Sequence, residues 1–250
     1  RRIAVAHGMP NERITTFPWG IDLNHFSPLA SDEHLKGPLS IGAVNGSNQN
    51  EKQPVTLLST SSWEPSYGVD VLAQAFVLAA RERPELRLIM LGSGSQAGLL
   101  HQIFTKNSLL PSSDIQANNF QSSRVIFPGQ VSFEKLPEYY RSADLYLAAT
   151  HSDGTSISLL EAMGCACPVL VSDLEGNREW VTPQKNGWLF PEGDAHAMAQ
   201  AIIKAVDMRS ELSQMGHQGR KIVEERADWK KNFQKLLEVY QQVYKRHYND

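Results

Sequence analysis

Residues 150–179 read T-H-S-D-G-T-S-I-S-L-L-E-A-M-G-C-A-C-P-V-L-V-S-D-L-E-G-N-R-E. The pattern predicts a polar loop, a short apolar helix, a buried strand and a second, acidic loop. Small and hydroxyl residues that lead into a helix start allow the backbone to approach and hold a charged ligand. Asp153 and Glu161 lie on either side of this helix start. The stretch therefore predicts a ligand-binding edge, provided that the remaining chain builds a sheet beside it.

Strands and helices alternate on both sides of this stretch. Short apolar runs predict strands at 55–60, 86–91, 125–127, 144–149, 168–172 and 188–190, and a further short strand at 14–17. Helical periodicity predicts helices at 69–80, 96–109, 134–142, 158–164, 195–206, 209–226 and 229–247. This alternation is typical of an α/β fold, a parallel sheet with helices on both faces. Ligands of such sheets bind at the carboxyl ends of the strands, so the loop at residue 150 lies on the functional edge.

The overall composition indicates an ordinary globular protein. The chain has 250 residues, 41% of them hydrophobic, and a formal net charge of -3. This near-neutral balance gives no electrostatic reason to expect nucleic acid or an anionic membrane as partner. No apolar run approaches the roughly 20 residues of a transmembrane segment. Cys165 and Cys167 are too close in sequence for a disulfide and indicate buried residues of a reducing compartment.

Several enzyme classes are disfavoured by their missing motifs. The run Gly92-Ser93-Gly94 resembles a dinucleotide fingerprint, but its third glycine comes one residue too late and no acidic residue follows at ribose-binding distance. This argues against a nicotinamide-dependent dehydrogenase. The chain contains neither a G-x-x-x-x-G-K-[ST] loop nor a G-x-S-x-G elbow, which argues against P-loop nucleotidases and the usual α/β-hydrolases. The eight histidines show no metal-ligand spacing, so no metal site is predicted.

The order of residues around Asp153 resembles the signature of the family 4 glycosyltransferases, which are retaining enzymes of the two-domain GT-B architecture. In that signature an acidic residue is followed, after seven others, by Glu-Ala-Met and then by a turn and Pro-Val; here these are Asp153, Glu161-Ala162-Met163 and Pro168-Val169. Further similar blocks are 17–22 with 26–28, 125–129, 143–146, and 186–191 with 193–194. Together they make the resemblance extend over residues 14–28 and 55–245.

The resemblance implies that the chain binds the nucleoside-diphosphate sugar, a UDP- or GDP-sugar, from which a glycosyl group is transferred. Glu161 would bind the ribose and Asp153 would face the sugar hydroxyls, and these two are the catalytic candidates. Donor-binding roles are implied for the base-side residues Gly129, Gln130 and Val131 and for the helix-start residues Gly154, Thr155, Ser156 and Ile157, with Ser61, His151 and Arg178 as further candidates. No metal or other cofactor is expected, because the D-x-D motif of metal-dependent glycosyltransferases is absent.

The resemblance also implies a division of the chain. Residues 1–28 are expected to be an inter-domain connector and the tail of a missing N-terminal acceptor domain, 29–53 a flexible linker, 54–226 a Rossmann-like nucleotide-sugar-binding domain, and 227–250 a C-terminal helix that crosses back to the missing domain. The expected partners are the donor, that domain, and an acceptor sugar or lipid-linked sugar. The expected location is cytoplasmic, with any membrane contact made through the missing domain.

One loop departs from the family pattern. Family members place an Arg and, a few residues later, a Lys near the donor diphosphate, whereas the loop 60–68 has no cation. Ser61 and Tyr67 are the predicted replacements, and Arg178, Arg124 and His151 are candidates for a substitute charge. An alternative is therefore a catalytically weak or inactive module that binds a nucleotide sugar or a partner; a sugar-nucleotide epimerase of the same architecture is a further one.

Asp153 and Glu161 also admit purely structural explanations. Ser158 and Glu161 have the spacing of a capping box, in which the carboxylate only ties back the start of a helix. Asp153 and Gly154 have the composition of a simple turn. The sequence alone leaves both explanations open.

Overall fold

The computed structural model describes residues 2–28, 54–109 and 123–248. The predicted linker at 29–53 and all but the last residue of the polar segment 111–123 lie outside the described residues. The strands are β1 Val55–Ser59, β2 Leu86–Leu91, β3 Val125–Gly129, β4 Leu145–Ala148, β5 Val169–Ser172 and β6 Gly187–Phe190. The helices are α1 Arg2–Ala6, α2 Val69–Glu82, α3 Ala97–Lys106, α4 Leu136–Ser142, α5 Ile157–Gly164, α6 Glu175–Arg178, α7 Ala195–Asp207, α8 Arg209–Arg226 and α9 Trp229–Tyr248.

The six strands form one parallel sheet in the order β3-β2-β1-β4-β5-β6. β1 lies between β2 and β4, so the strand order reverses at the β1–β4 junction. The loops after these two strands lead to helices on opposite faces, and this opens a crevice at the carboxyl edge. The predicted α/β fold with a parallel sheet is therefore confirmed.

Alternating residues of the strands fill two separate apolar layers. On one face Leu57 packs into the layer beneath α2 and α7, whereas its neighbour Leu58 belongs to the layer beneath α4, α5 and α8. Both side chains are fully buried. Strands covered on both faces need continuous apolar runs, because side chains point alternately to the two faces. This is why β1, β4 and β5 contain few polar residues.

The predicted strand at 14–17 is wrong. Among the described residues this segment has no strand partner. The nearest β-bridge in the connector lies further along the chain and joins Ile21 to Asp228. β-propensity is expressed only where a neighbouring strand edge accepts the segment. The short helices α1 and α6 were not predicted, and they have only five and four residues respectively.

Residues 18–21 are bound to the start of α9. The Ile21 amide donates to the Ala227 carbonyl at 2.9 Å, and the Trp229 amide donates to the Ile21 carbonyl at 3.0 Å. The buried Asn232 side chain donates to the Pro18 carbonyl at 2.9 Å. Gly20 has a φ of +95°, and a side chain there would lie 2.5 Å from the Ala227 oxygen. The connector and the last helix therefore form one packed unit.

One face of α9 carries an apolar stripe that is largely exposed. Tyr240 and Tyr244 are 64% and 63% exposed, and Phe233 and Leu237 are 41% and 38% exposed. Such a stripe indicates a surface that another element covers. No helix within the described residues is long and apolar enough to span a bilayer.

Candidate functional site

The loops after β1 and β4 meet at the crevice. The His151 amide donates to the Ser66 carbonyl at 3.0 Å, which joins the loop 149–156 to the loop 60–68. Gly68, at φ +58°, lies so close to β4 that a side chain there would approach the Ala149 oxygen to 2.1 Å. Ser61 is buried in the same loop. These close backbone approaches hold the two edges of the crevice in a fixed relation.

The helix that carries Glu161 is capped by Ser156. Its hydroxyl accepts a hydrogen bond from the Leu159 amide at 3.3 Å, so the helix begins at Ile157. The hydroxyl of Ser158 instead accepts from the buried Tyr146 hydroxyl at 2.9 Å. A capping box needs its acidic residue three positions after the cap, a position that Leu159 occupies. The capping-box explanation of Glu161 is therefore wrong, because the helix starts two residues earlier than that explanation requires.

Glu161 is a buried carboxylate with a defined partner. It belongs to α5, and the residue is only 9% exposed. The Tyr140 hydroxyl donates to Oε2 at 2.9 Å. Burial raises the pKa of Glu161 to about 7, although the Tyr140 hydrogen bond acts in the opposite direction. A carboxylate kept in such a position is costly to the fold, and this is a frequent property of functional residues.

Asp153 and Gly154 form the outer part of the same loop. Asp153 is half-buried and Gly154 is exposed. Their backbone oxygens press against Gly176 of α6, where a side chain would approach the Gly154 oxygen to 1.8 Å. Thr155 and Ser156 follow, both half-buried, and Ile157 is 44% exposed at the helix start. The loop 153–157 thus lies on the open side of the crevice, with Glu161 one turn behind it.

The glycine-rich loop after β2 is filled by a side chain of the protein itself. The Glu64 carboxylate accepts a hydrogen bond from the Ser95 amide at 3.0 Å and another from the Ser95 hydroxyl, and these bonds lower the pKa of Glu64. The Trp63 amide donates to the Ser93 carbonyl at 3.0 Å. A side chain at Gly94 would lie 2.4 Å from the Trp63 oxygen. The glycines therefore leave room for the loop 60–68 to pack against them. This packing explains the spacing of the glycines without a bound dinucleotide.

The predicted base-side residues follow β3. The Gly129 carbonyl accepts from the Gly92 amide at 2.9 Å, and the Gln130 amide group donates to the Ser93 hydroxyl at 3.2 Å. Val131 is half-buried against the layer beneath α4. β3 and β4 are separated by two strands, which places their ends about 14 Å apart. The structure therefore puts the predicted base-side residues at one end of the carboxyl edge and the predicted sugar-side residues near its middle.

The candidate cations are bound to other groups. Arg178 donates to both carboxylate oxygens of Asp173, at 2.5 and 2.9 Å. The His151 ring contacts the Glu192 carboxylate. Arg124 lies at the amino end of β3 and donates to the carbonyls of Ala80, Arg83 and Leu86, at 3.0, 2.9 and 3.1 Å. Arg124 as a substitute diphosphate ligand is therefore wrong, since it serves the opposite edge of the sheet.

The carboxyl edge is acidic. The segments 60–68, 92–96, 130–132, 149–156, 173–174 and 191–194 contain no Lys or Arg. They carry the carboxylates Glu64, Asp153, Asp173, Glu192 and Asp194. Within residues 2–28, 54–109 and 123–248, no three His, Cys, Asp or Glu side chains come together as metal ligands. Because these segments contain no Lys or Arg, a diphosphate at this edge would contact mainly backbone amides and the positive end of the α5 dipole.

Two elements of the site were not predicted from the sequence. One is the pair of Tyr140 with Glu161, and the other is the attachment of Glu64 to Ser95. Tyr140 follows Tyr139 in an amphipathic helix, and nothing in that pattern distinguishes a ligand of a carboxylate from an ordinary core residue. The roles given to Asp153, Glu161 and the donor-binding candidates stay predictions.

Known proteins share both the sequence pattern and the fold. The chain is 26% identical over 248 residues to the D-inositol 3-phosphate glycosyltransferase of Thermobispora bispora, covering 98% of this chain and 54% of that protein. It is 24% identical over 231 residues to a GDP-mannose-dependent phosphatidylinositol monomannoside mannosyltransferase of Corynebacterium glutamicum, covering 90% and 55%. The chain spans about half the length of these two relatives and less of several others.

The fold matches that of GT-B glycosyltransferases. The solved structure of Anabaena HepE in complex with UDP superposes with a TM-score of 0.75 at 20% identity, covering 95% of this chain and 60% of that one. The sequence model described as glycosyl transferases group 1 matches residues 44–222, which is more than half of the chain. The chain therefore belongs to the group 1 glycosyltransferases.

Proposed function

We propose that this chain is the donor-binding half of a retaining, family 4 hexosyltransferase that takes its sugar from a UDP- or GDP-sugar. The observation that carries the proposal is the buried Glu161 carboxylate, one turn behind the open loop 153–157 at the reversal point of the strand order. A buried carboxylate at a ligand-binding edge can accept hydrogen bonds from a ribose diol. Relatives named for GDP-mannose and a solved neighbour in complex with UDP support a nucleotide ligand but leave the base open.

The proposed reaction breaks the bond between the anomeric carbon and the diphosphate oxygen. The diphosphate leaves with the electron pair. An acceptor hydroxyl forms the new bond on the same face of the sugar and gives its proton to the departing diphosphate oxygen. The negative charge that develops on the leaving oxygen needs stabilisation in place. The start of α5 supplies it through its dipole and through the amides of Ile157 and Ser158, which precede the first intrahelical hydrogen bond. Asp153 would face the sugar hydroxyls.

The acceptor belongs to a second domain in this proposal. The exposed stripe of α9 and the connector bound to its start support a domain N-terminal to residues 1–28, which residues 227–250 contact. That domain would bind an acceptor sugar or lipid-linked sugar and provide any contact with a membrane, and the protein would work in the cytoplasm. The proposal includes no metal or other cofactor.

A second candidate function follows from the acidic carboxyl edge. Family members hold the diphosphate with an Arg and a Lys, and the segment 60–68 has neither. Arg178 is the arginine that lies nearest in sequence to these segments, and its guanidinium group is paired with the Asp173 carboxylate. Charge-assisted hydrogen bonds to phosphate are among the stronger polar interactions, so their loss weakens stabilisation of the leaving group. This favours a module that binds a nucleotide sugar and turns it over slowly or not at all.

Calorimetric titration with UDP-glucose, GDP-mannose and ADP-glucose tests the proposal. We expect one of the three to bind in the micromolar to millimolar range, with unchanged affinity in EDTA. Release of free sugar from the bound donor, followed over hours, separates the two candidates. Release of most of the bound sugar within this time supports the transferase, and binding with little or no release supports the weak or inactive module. Absence of binding to all three at millimolar concentration would contradict both.

Gly176→Ala should weaken donor binding at least tenfold. The added methyl group cannot be accommodated 1.8 Å from the Gly154 oxygen, so α6 and the loop at Asp153 must separate. Gly98→Ala is the matched control, because a side chain at that helical glycine meets nothing within 4 Å. The control should bind normally and gain a little stability from the better helix former. Normal donor affinity in Gly176→Ala would remove the loop 153–157 from the site.

A further inference from the structure

Three polar side chains form a line behind the candidate site. The Thr60 hydroxyl lies 3.0 Å from the Tyr140 hydroxyl, which lies 2.9 Å from Oε2 of Glu161. Thr60 directly follows β1, Tyr140 belongs to α4, and Glu161 belongs to α5. Tyr140 is fully buried. Three separate elements therefore meet at Glu161, the carboxylate that the proposed function assigns to the ribose.

We propose that Tyr140 is the positioning residue of Glu161: its hydroxyl fixes Oε2 and thereby orients Oε1 towards the ribose hydroxyls of a nucleoside-diphosphate sugar. The inference rests on the proposed function, because it assigns a role to the same carboxylate. A free glutamate side chain has several rotamers, and ordering it costs conformational entropy when the ligand binds. A hydrogen bond formed before the ligand arrives removes part of that cost.

The direction of the protons in this line depends on Glu161. An ionised carboxylate has no proton to donate, so Tyr140 must donate to it and its oxygen must accept from Thr60. Hydrogen bonds that point the same way along a chain strengthen one another. The ionised form of Glu161, which accepts hydrogen bonds most strongly, is thus the form that Thr60 and Tyr140 support together.

The ring of Tyr140 can keep its place without the hydroxyl. It packs edge-on against Phe26 and Tyr146, with ring centroids 6.1 and 5.7 Å away. Tyr140→Phe therefore removes one oxygen atom and leaves these aromatic contacts. Tyr139, the preceding residue on α4, is also buried, and the hydrogen bond that lowers the pKa of Glu161 comes from Tyr140 alone. Tyr139→Phe is the matched control.

The acidic groups that surround Glu161 should stay protonated while Glu161 itself titrates. Tyr140 faces it from α4, Tyr146 from β4 and Cys165 from its own helix, and burial raises the pKa values of all three. Arg141 of α4 and Arg220 of α8 carry positive charges that act on the Cys165 thiol, and Arg220 also donates to the Gly164 carbonyl. The hydrogen bond from Tyr140 lowers the pKa of Glu161 against the effect of burial. Loss of the hydroxyl should therefore raise the pKa of Glu161.

UDP-glucose binding measured between pH 5.5 and 8.5 tests the inference, with GDP-mannose if that is the donor that binds. A sugar nucleotide is the right probe, since it lacks the terminal phosphate whose own titration near pH 6 would interfere. In the native chain, affinity should rise with pH through about 7, as Glu161 ionises. Tyr140→Phe should bind about tenfold more weakly at pH 7.5, with the midpoint of this rise moved to higher pH. Tyr139→Phe should match the native chain in both respects.

Thr60→Val provides a second variant that does not touch the aromatic core. It should move affinity and pH midpoint in the same direction as Tyr140→Phe, by a smaller factor. Glu161→Gln should itself remove the pH dependence of donor binding. Adding Tyr140→Phe to that variant should therefore leave the pH profile unchanged. Native affinity and native midpoint in Tyr140→Phe and Thr60→Val would overturn the inference alone. Failure of the native chain to bind either sugar nucleotide would overturn the proposed function, and this inference with it.

Discussion

Glu161→Gln is expected to abolish most of the affinity for the sugar nucleotide and, at the same time, to stabilise the protein above neutral pH. Glutamine has nearly the same shape and still offers an oxygen to the Tyr140 hydroxyl. It has no charge to desolvate and is a weaker acceptor for ribose hydroxyls. We expect a ten- to hundredfold loss of affinity at pH 8.5, since a hydrogen bond to a charged group contributes about 1.5–3 kcal/mol. Function and stability should thus change in opposite directions.

The sign of the stability effect follows from the raised pKa. Glu161 has a pKa of about 7 in the folded chain against an ordinary value of 4.5. The folded chain therefore binds this proton more tightly than the unfolded chain does, and the associated stability is present below pH 4.5 and lost as the pH rises through about 7. Above pH 7 the ionised carboxylate costs up to about 3 kcal/mol. Glutamine avoids that cost, so the advantage of the variant should appear between these two pH values.

Thermal unfolding at pH 4.5 and pH 8.5, followed by circular dichroism, measures this effect. The variant should unfold several degrees above the native chain at pH 8.5, and the difference should be small at pH 4.5. Asp153→Asn is the control for charge removal in general, because Asp153 lies in the more open loop of the same site. If the variant is less stable than the native chain at pH 8.5, the buried charge of Glu161 does not destabilise the fold. That result would favour a structural role for Glu161.

The sequence was sufficient for the features that depend on local pattern. The alternation of apolar runs and amphipathic helices predicted each strand of the sheet, and the polar loop before Glu161 predicted the start of α5 to within one residue. These features are encoded within a few neighbouring positions, because side-chain periodicity reports burial directly. The position proposed for the site also follows from topology, since ligands of open parallel sheets bind at the carboxyl edge.

Features that depend on long-range contact could not be predicted. Tyr140 and Glu161 are 21 residues apart and meet only because α4 and α5 cover the same face of the sheet. Arg124 was considered for the site because of its charge, but its position at the amino end of β3 directs it to backbone carbonyls at the other edge. The segment 14–17 has strand propensity without a strand to pair with. In each case the missing information was which element lies next to which.

Arg220→Ala is the second variant with a large expected effect, here on stability. Arg220 of α8 is the junction of three segments. One of its terminal nitrogens donates to the Phe26 and Gly164 carbonyls, both at 2.6 Å, and the other donates to Leu23 at 3.2 Å. Its Nε pairs with Glu224 at 2.7 Å, and only 14% of the side chain is exposed. The guanidinium therefore attaches the connector to the end of the helix that carries Glu161.

Removal of this side chain leaves three partly buried carbonyls without their donor. Each buried acceptor that loses its partner costs on the order of 1 kcal/mol, so Arg220→Ala should lose about 3 kcal/mol and unfold roughly 6–12 °C lower. Arg220→Lys should recover only a small part, because an ammonium group cannot reach the fork of acceptors. Arg2→Ala is the control, since its pair with Glu175 is 92% and 78% exposed and should contribute nothing measurable. If Arg220→Ala unfolds at the native temperature, the connector is not held by α8, and the packing of residues 23–26 against α5 must depend on the buried Phe26 ring instead.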